Sequence, residues 1–346
     1  MKAERVVEIS TPFIDKSRSL ERLLLGKVTI RKNALVQWRE EYESVEKAAR
    51  QLYDILPNEN LTSEHSHIDS PGFARRKNEG GSYVVGSPRQ GYTLNLTKSR
   101  VGLTESVTWE MRKYDKYREI EKKMRGLGES TAQRIELDLT HLFTFGLQGT
   151  SYTNMDGETV NTVTGDGLQI FSDFHTITGS STTVDNYGGT VAFNRTNLEA
   201  AERLFKNMVN MNDVKVVPKP DTIITSDEPA IVNLVKEFLN STEAPDTAER
   251  ATNVYKAKYK HIELPFLATT NVGAPSSTGR YYWVLADLKH KDAILEFSEM
   301  PTFTAPNAGG NGEDFDTDDW KFKSSASYAY GILDYKWLVG QASTSI

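Results

Sequence analysis

The chain has 346 residues and a formal net charge of −6, from 41 Lys and Arg against 47 Asp and Glu, and it contains no cysteine. A chain of this length, one large or two medium domains, buries enough surface to need no staple. The missing cysteines exclude disulfides, thiolate metal sites and cysteine nucleophiles, and the acidic balance argues against a dedicated nucleic-acid binder.

The N-terminus, "MKAERVVEISTPFIDKSRS", scatters charges and has no apolar core like that of a secretion signal. No apolar run approaches the ~20 residues that span a bilayer. The expectation is a soluble cytosolic product. Residues 16–56 read as helical. Leu35, Trp38, Tyr42, Val45, Ala49, Leu52 and Ile55 recur at steps of three and four, and Pro57 closes the run.

Residues 61–110 change character. "HIDSPGFARRKNEGGSYVVGSPRQGYTLNLTKSRVGLTESVTWEM" is rich in Gly and Ser, with strand-like alternation in "GSYVV" and "GYTLNLT" and turn signals at Gly80-Gly81 and Ser87-Pro88-Arg89. This predicts a long hairpin with too few large apolar residues to bury itself, suited to lying on another chain.

The strongest single element is 113–146, "KYDKYREIEKKMRGLGESTAQRIELDLTHLFTFG". Tyr114, Tyr117, Met124, Ile135, Leu139, Leu142 and Phe143 form one stripe, and Gly146 stands as a C-cap candidate. Such a helix spans roughly 50 Å, with Gly126-Leu127-Gly128 as the expected kink. Residues 147–193 read as loop with short strands at most.

Next, "TNLEAAERLFKNM" predicts a helix capped by Thr196 or Asn197. "DTIITSDEPAIVNLVKEFLN" predicts a buried strand, a turn, and a helix that starts near Ser226 with Pro229 in its first turn. "YYWVLADL" and "DAILEFSEMPTFT" read as strands, and 318–342 as a long pair of strands bent near Gly331.

Between Asp292 and Trp320 there is no Lys or Arg, while Asp292, Glu296, Glu299, Glu313, Asp314, Asp316, Asp318 and Asp319 are acidic. That run reads as a solvated loop or as a divalent-ion or intersubunit contact, although 313–319 lacks calcium-loop spacing.

Phosphate loops, zinc-protease motifs and nucleophile elbows are absent. His65 and His67 alternate, with no third metal ligand near them in sequence. "GDGLQIFSDFHTITG" (165–179) gathers Asp166, Asp173 and His175, which would suit a metal-dependent enzyme if the three converged. The plainer reading is a turn and short strand, with Phe171 and Phe174 buried and the polar groups serving loop backbone.

Taken in order, these segments resemble the major capsid proteins of tailed bacteriophages, of the Hong Kong 97-type fold. The Gly-rich loop ends in "VGLTESVTWE", the long spine helix follows, and Asp166, Gly167, Phe171, Ser172 and His175 fit a "DG..lFs..H" segment. The resemblance implies an α+β fold with an N-terminal arm (1–60), an extended loop (61–110), a peripheral domain with the spine helix (111–190), an axial domain (191–300) and a return to the peripheral domain (301–346).

It also implies a structural subunit and no enzyme, without cofactor or metal, building pentamers and hexamers of an icosahedral shell in the virion. Assembly would take place in the host cytoplasm, around double-stranded DNA held without sequence specificity, with a portal and a separate scaffolding protein as partners and no membrane. Candidate intersubunit contacts are Trp38, Tyr42, Arg75, Arg76, Lys77, Glu79, Arg89 and Tyr92. Some such shells crosslink a loop lysine to a peripheral-domain asparagine. Here Lys77 and Lys98 are the candidate donors, but 318–340 holds no asparagine, so the expectation is a non-covalent shell. The alternatives are an encapsulin-like compartment shell, the metal-dependent enzyme, and a secreted β-rich binding protein, which the long helix disfavours.

Overall fold

The structure, a computed structural model, describes residues 30, 32–68, 72–86, 90–114, 117–177, 180, 182–243, 252–306 and 318–346. The chain forms two compact units. The first comprises Met1–Glu46, Arg100–Gln133 and Pro301–Ala326, and the second Lys47–Ser99, Arg134–Met300 and Ser327–Ile346.

In the first unit, helix α1 covers 32–44. The predicted helix to residue 56 stops there. Ala49–Leu52 form a single 3-10 turn, and Asp54–Pro57 are strand β1 of the second unit, so Ile55 and Pro57 are strand residues. The apolar periodicity persists past residue 44 because Ala49 and Leu52 are buried by the 3-10 turn. The first unit's core joins Ala34 and Trp38 of α1 to Val107, Ile120, Met124, Leu127, Trp320 and Phe322. Leu35, assigned to the apolar stripe, is exposed.

Helix α2 (Trp109–Lys113) is capped by Thr108, whose hydroxyl accepts from the Met111 N–H. Helix α3 (Tyr117–Gly146) follows and runs its 30 residues, ~45 Å, without interruption. The expected kink at Gly126–Gly128 is absent. Gly128 serves close packing instead: a Cβ there would stand 2.4 Å from the Trp38 carbonyl oxygen. Along α3, Met124, Ile135, Leu139, Leu142 and Phe143 are buried as the stripe predicts, whereas Tyr114 lies before the helix and is exposed.

One four-stranded sheet has the order β1–β12–β13–β4, where β4 is Ser99–Val107, β12 Ala293–Thr304 and β13 Trp320–Ile332. β1 runs parallel to β12, with Leu56 opposite Glu296. The hairpin of the extended loop pairs β2 (Thr62–Ile68) with β3 (Gln90–Thr97), antiparallel. The predicted strand "GSYVV" is not one; residues 81–86 have no regular structure. The true partner, "TSEHSHI", is polar up to its last residue, Ile68, and so shows no apolar alternation.

After α3 come only short ladders, β5 (Ser151–Thr153) with β6 (Thr159–Asn161) and β7 (His175–Thr176) with β8 (Thr183–Val184). The α/β part contains α4 (Arg195–Lys206), β9 (Thr222–Ser226), α5 (Pro229–Asn240), β10 (Lys260–Leu264), β11 (Trp283–Ala286) and β14 (Leu338–Gln341), its sheet ordered β10–β9–β11–β14. Asn194, not Thr196 or Asn197, caps α4, its side chain accepting from the Asn197 N–H. Pro229 opens α5 as expected.

Every residue of β9, β11 and β14 is buried; β11 accordingly reads as an unbroken apolar run, while β9 and β14 also bury Thr222, Thr225, Ser226 and Gln341. Leu198, Ala201 and Phe205 of α4 and Ile231, Val235 and Phe238 of α5 close the core with Ile223, Trp283 and Val339. The two strands predicted over 318–342 do not pair with each other: β13 and β14 belong to different sheets, with 333–337 between them outside regular strand.

Candidate functional site

The extended loop is the most distinctive surface. Among its described tip residues, 73–86 are all exposed and only a turn at Gly80 interrupts their irregular course. Phe73 is 79% exposed, Tyr83 76% and Val85 89%. Arg75, Arg76, Lys77 and Glu79 stand among them, with the Lys77 ammonium 4.7 Å above the Tyr83 ring. Arg89 lies outside the described residues.

The other contact candidates sit elsewhere. Tyr92 on β3 is half-buried against the α/β core, and its hydroxyl donates to the Thr176 carbonyl. Trp38 is inside the first unit: its indole N–H donates to Ser324 Oγ at 3.0 Å, and its ring stacks on half-buried Tyr42 at 5.4 Å.

The root of the loop is tied down by one carboxylate. Glu296, on β12, has a side chain only 1% exposed. Its Oε2 accepts from Lys98 Nζ at 2.8 Å and Ser63 Oγ at 2.5 Å; its Oε1 accepts from His65 Nε2 at 2.7 Å and Asn58 Nδ2 at 3.2 Å. Burial alone pushes this carboxyl up, but the four donors outweigh it and bring it down to about 2. Lys98 is as buried as its partner and also donates to the Asn60 carbonyl at 2.7 Å. As a crosslink donor Lys98 is therefore corrected: its amine is enclosed and paired within its own chain, whereas Lys77 is exposed.

The structure divides the acidic run between Asp292 and Trp320. Glu296 and Glu299 lie on β12, Asp292 just before it, and Asp318 and Asp319 just before β13. Glu313, Asp314 and Asp316 lie outside the described residues.

In 165–179 the structure brings together two of the three candidates. Asp166 Oδ2 accepts from His175 Nδ1 at 2.7 Å, both side chains fully buried. Asp166 Oδ1 accepts from Thr164 Oγ1 at 2.5 Å and from the Leu168 N–H at 3.1 Å, across a turn that Gly167 closes with φ +77. His175 Nε2 faces Asn186 Oδ1 at 3.1 Å, and the ring stacks on Tyr335 at 3.7 Å. Asn186 also accepts from the Ser172 N–H and donates to the Ile170 carbonyl.

Burial pushes the Asp166 carboxyl up, yet the contacts from His175, Thr164 and Leu168 hold it below its ordinary value. Asp173 is exposed and takes no part; its charge acts on Asp185, whose carboxyl is raised by burial and then by Asp173. Phe171 is buried as expected, but Phe174 is exposed. The three residues do not converge, and each polar atom of the Asp166–His175 pair is used to fasten the connector after α3.

Glu296, Asn58, Ser63 and Asn186 carry these clusters without a signal in local sequence, since Glu296 meets partners 198 to 238 positions away.

Comparison with known proteins agrees with this structural reading. A family model described as phage capsid protein matches residues 91–340. The chain resembles a solved structure from Gordonia phage Cozz over 86% of each chain, at 8% identity with a TM-score of 0.50. Further similar structures are the bacteriophage PhiM1 mature capsid (12% identity, 87% of this chain and 88% of that one, TM-score 0.48) and the procapsid of bacteriophage JBD30 (11%, 91% and 74%, 0.46). No curated protein matches the sequence. The family match over most of the chain, joined to this order of elements, makes the protein a member of the phage capsid protein family: a structural major capsid protein with the Hong Kong 97-type fold.

Proposed function

We propose that this subunit assembles into pentamers and hexamers of an icosahedral shell around double-stranded DNA, held without sequence specificity, with the tip of the extended loop, residues 73–86, lying on a neighbouring subunit while the root of the loop stays fastened to its own chain. The observation that carries this is the loop tip. Phe73, Tyr83, Val84 and Val85 are exposed on a segment without regular structure. Covering such apolar side chains is worth about 25 cal/mol per Å², and a second copy supplies the cover at no cost to the first chain's fold.

On this reading the division into arm (1–60), extended loop, peripheral domain (111–190 and 301–346) and axial domain (191–300) describes the working parts. A portal and a separate scaffolding protein are the expected assembly partners, in the host cytoplasm. Contacts are non-covalent, because Lys98 is enclosed and 318–340 offers no asparagine.

The test replaces residues 73–85 by a short Gly-Ser linker and compares particles by negative-stain electron microscopy. The intact chain is expected to give capsomers, tubes or shells, and the variant folded subunits that do not assemble. Shells of normal size and yield from the variant would overturn the role given to the loop.

A further inference from the structure

The sequence left His67 without metal partners, but the fold supplies two. His67 on β2 lies between Asp292, just before β12, and Asp334, between β13 and β14. Nδ1 is 3.5 Å from Asp292 Oδ2, and Nε2 is 3.7 Å from Asp334 Oδ2. Each residue can offer one ligand atom within 4.8 Å of the other two. An ion takes one ring nitrogen of His67, and bonds of ~2.1 Å about a tetrahedral ion place ligand atoms ~3.4 Å apart, so closing the set from within 4.8 Å asks shifts of about 1 Å of the side chains. His67 Nε2 is buried and makes no hydrogen bond, so an ion that displaces its proton would find this nitrogen unused. A cavity of about 460 Å³ opens on the same three residues, with Val217, Pro218 and Trp337 in its wall. It gives an ion a path in and room for water ligands.

The surrounding charge allows a cation. The Lys336 ammonium is 3.3 Å from Asp334 Oδ2, so this carboxylate already attracts positive charge. Lys291, also in the wall, turns its ammonium to Asp54 at 3.1 Å and to the Tyr53 carbonyl at 2.9 Å. We infer that His67, Asp292 and Asp334 form a binding site for a divalent first-row transition ion, one imidazole nitrogen and two carboxylate oxygens with water completing the shell. That donor set suits zinc, cobalt or nickel better than calcium, which prefers oxygen throughout. The ion joins the extended-loop hairpin to two segments distant in sequence, and it competes with Lys336 for Asp334.

Calorimetric titration of the full chain with Zn²⁺ tests this. One saturable site is expected, weakened at least tenfold by His67→Gln and by Asp334→Asn, and strengthened several-fold by Lys336→Met, which removes the competitor. No saturable binding to the wild type, or affinity unmoved by His67→Gln and Asp334→Asn in folded protein, overturns the site. If those variants fail to fold, the wild type still decides: Zn²⁺ is expected to protect His67 from diethylpyrocarbonate, read by peptide mass. Equal modification of His67 with and without Zn²⁺ overturns the proposal, as does stabilisation on acidification with no response to the metal.

Discussion

At the scale of single residues, two of the buried carboxylates, Asp166 and Glu296, each gather several donors from their own chain. Losing one partner of a buried pair strands the other in low dielectric, at a cost of about 3–5 kcal/mol. Asp166→Ala is expected to fall in that range, because it leaves His175, Thr164 and the Leu168 N–H without their acceptor; the urea midpoint of unfolding measures it. Lys98→Met costs less, about 2–3 kcal/mol, since Ser63, His65 and Asn58 still donate to Glu296. The Glu296 carboxyl is held at about 2 in the folded chain and is ~4.3 in an unfolded one. Its folded value is the lower, so its contribution is whole above pH ~4.3 and is lost as pH falls towards 2. Unfolding free energies at pH 7 and pH 3 are expected to differ less in Glu296→Gln than in the wild type.

At the scale of elements, two glycines two residues apart in α3 make opposite predictions. Gly126 is exposed and a Cβ there meets nothing within 4 Å, whereas one at Gly128 meets the Trp38 carbonyl at 2.4 Å. Gly126→Ala is expected to stabilise by up to ~1 kcal/mol through helix propensity. Gly128→Ala is expected to destabilise by about 1–3 kcal/mol through overpacking. Thermal melts of the two variants check both signs. From sequence the pair looked like one kink, because propensity is local and the neighbour that gives Gly128 its purpose is 90 residues away. The polar strand β2 was hidden for a related reason. Its side chains Ser63 and His65 answer Glu296 and His67 faces Asp292, so its pattern is polar where an ordinary half-buried strand alternates.

At the scale of the whole molecule, the exposed tip and the paired Lys98 set the assembly predictions. Boiling assembled particles in denaturing detergent is expected to give a single band at monomer mass, and a ladder of multimers would contradict non-covalent closure. Serine at Phe73, Tyr83, Val84 and Val85 together is expected to leave folding intact, since these side chains are exposed, and to abolish shells seen by electron microscopy. The order of segments was legible in the chain itself. A Gly-rich loop, a long amphipathic helix, a loop-rich connector and a strand–turn–helix are each written in residues close together, through periodicity and turn chemistry. The tertiary structure alone decided what the polar residues do. Asp166 and His175 had to be brought face to face with Asn186 and Tyr335, Glu296 with Lys98, and His67 with Asp292 and Asp334. A buried charge is specified by whichever distant group folding sets beside it, and no local spacing encodes that.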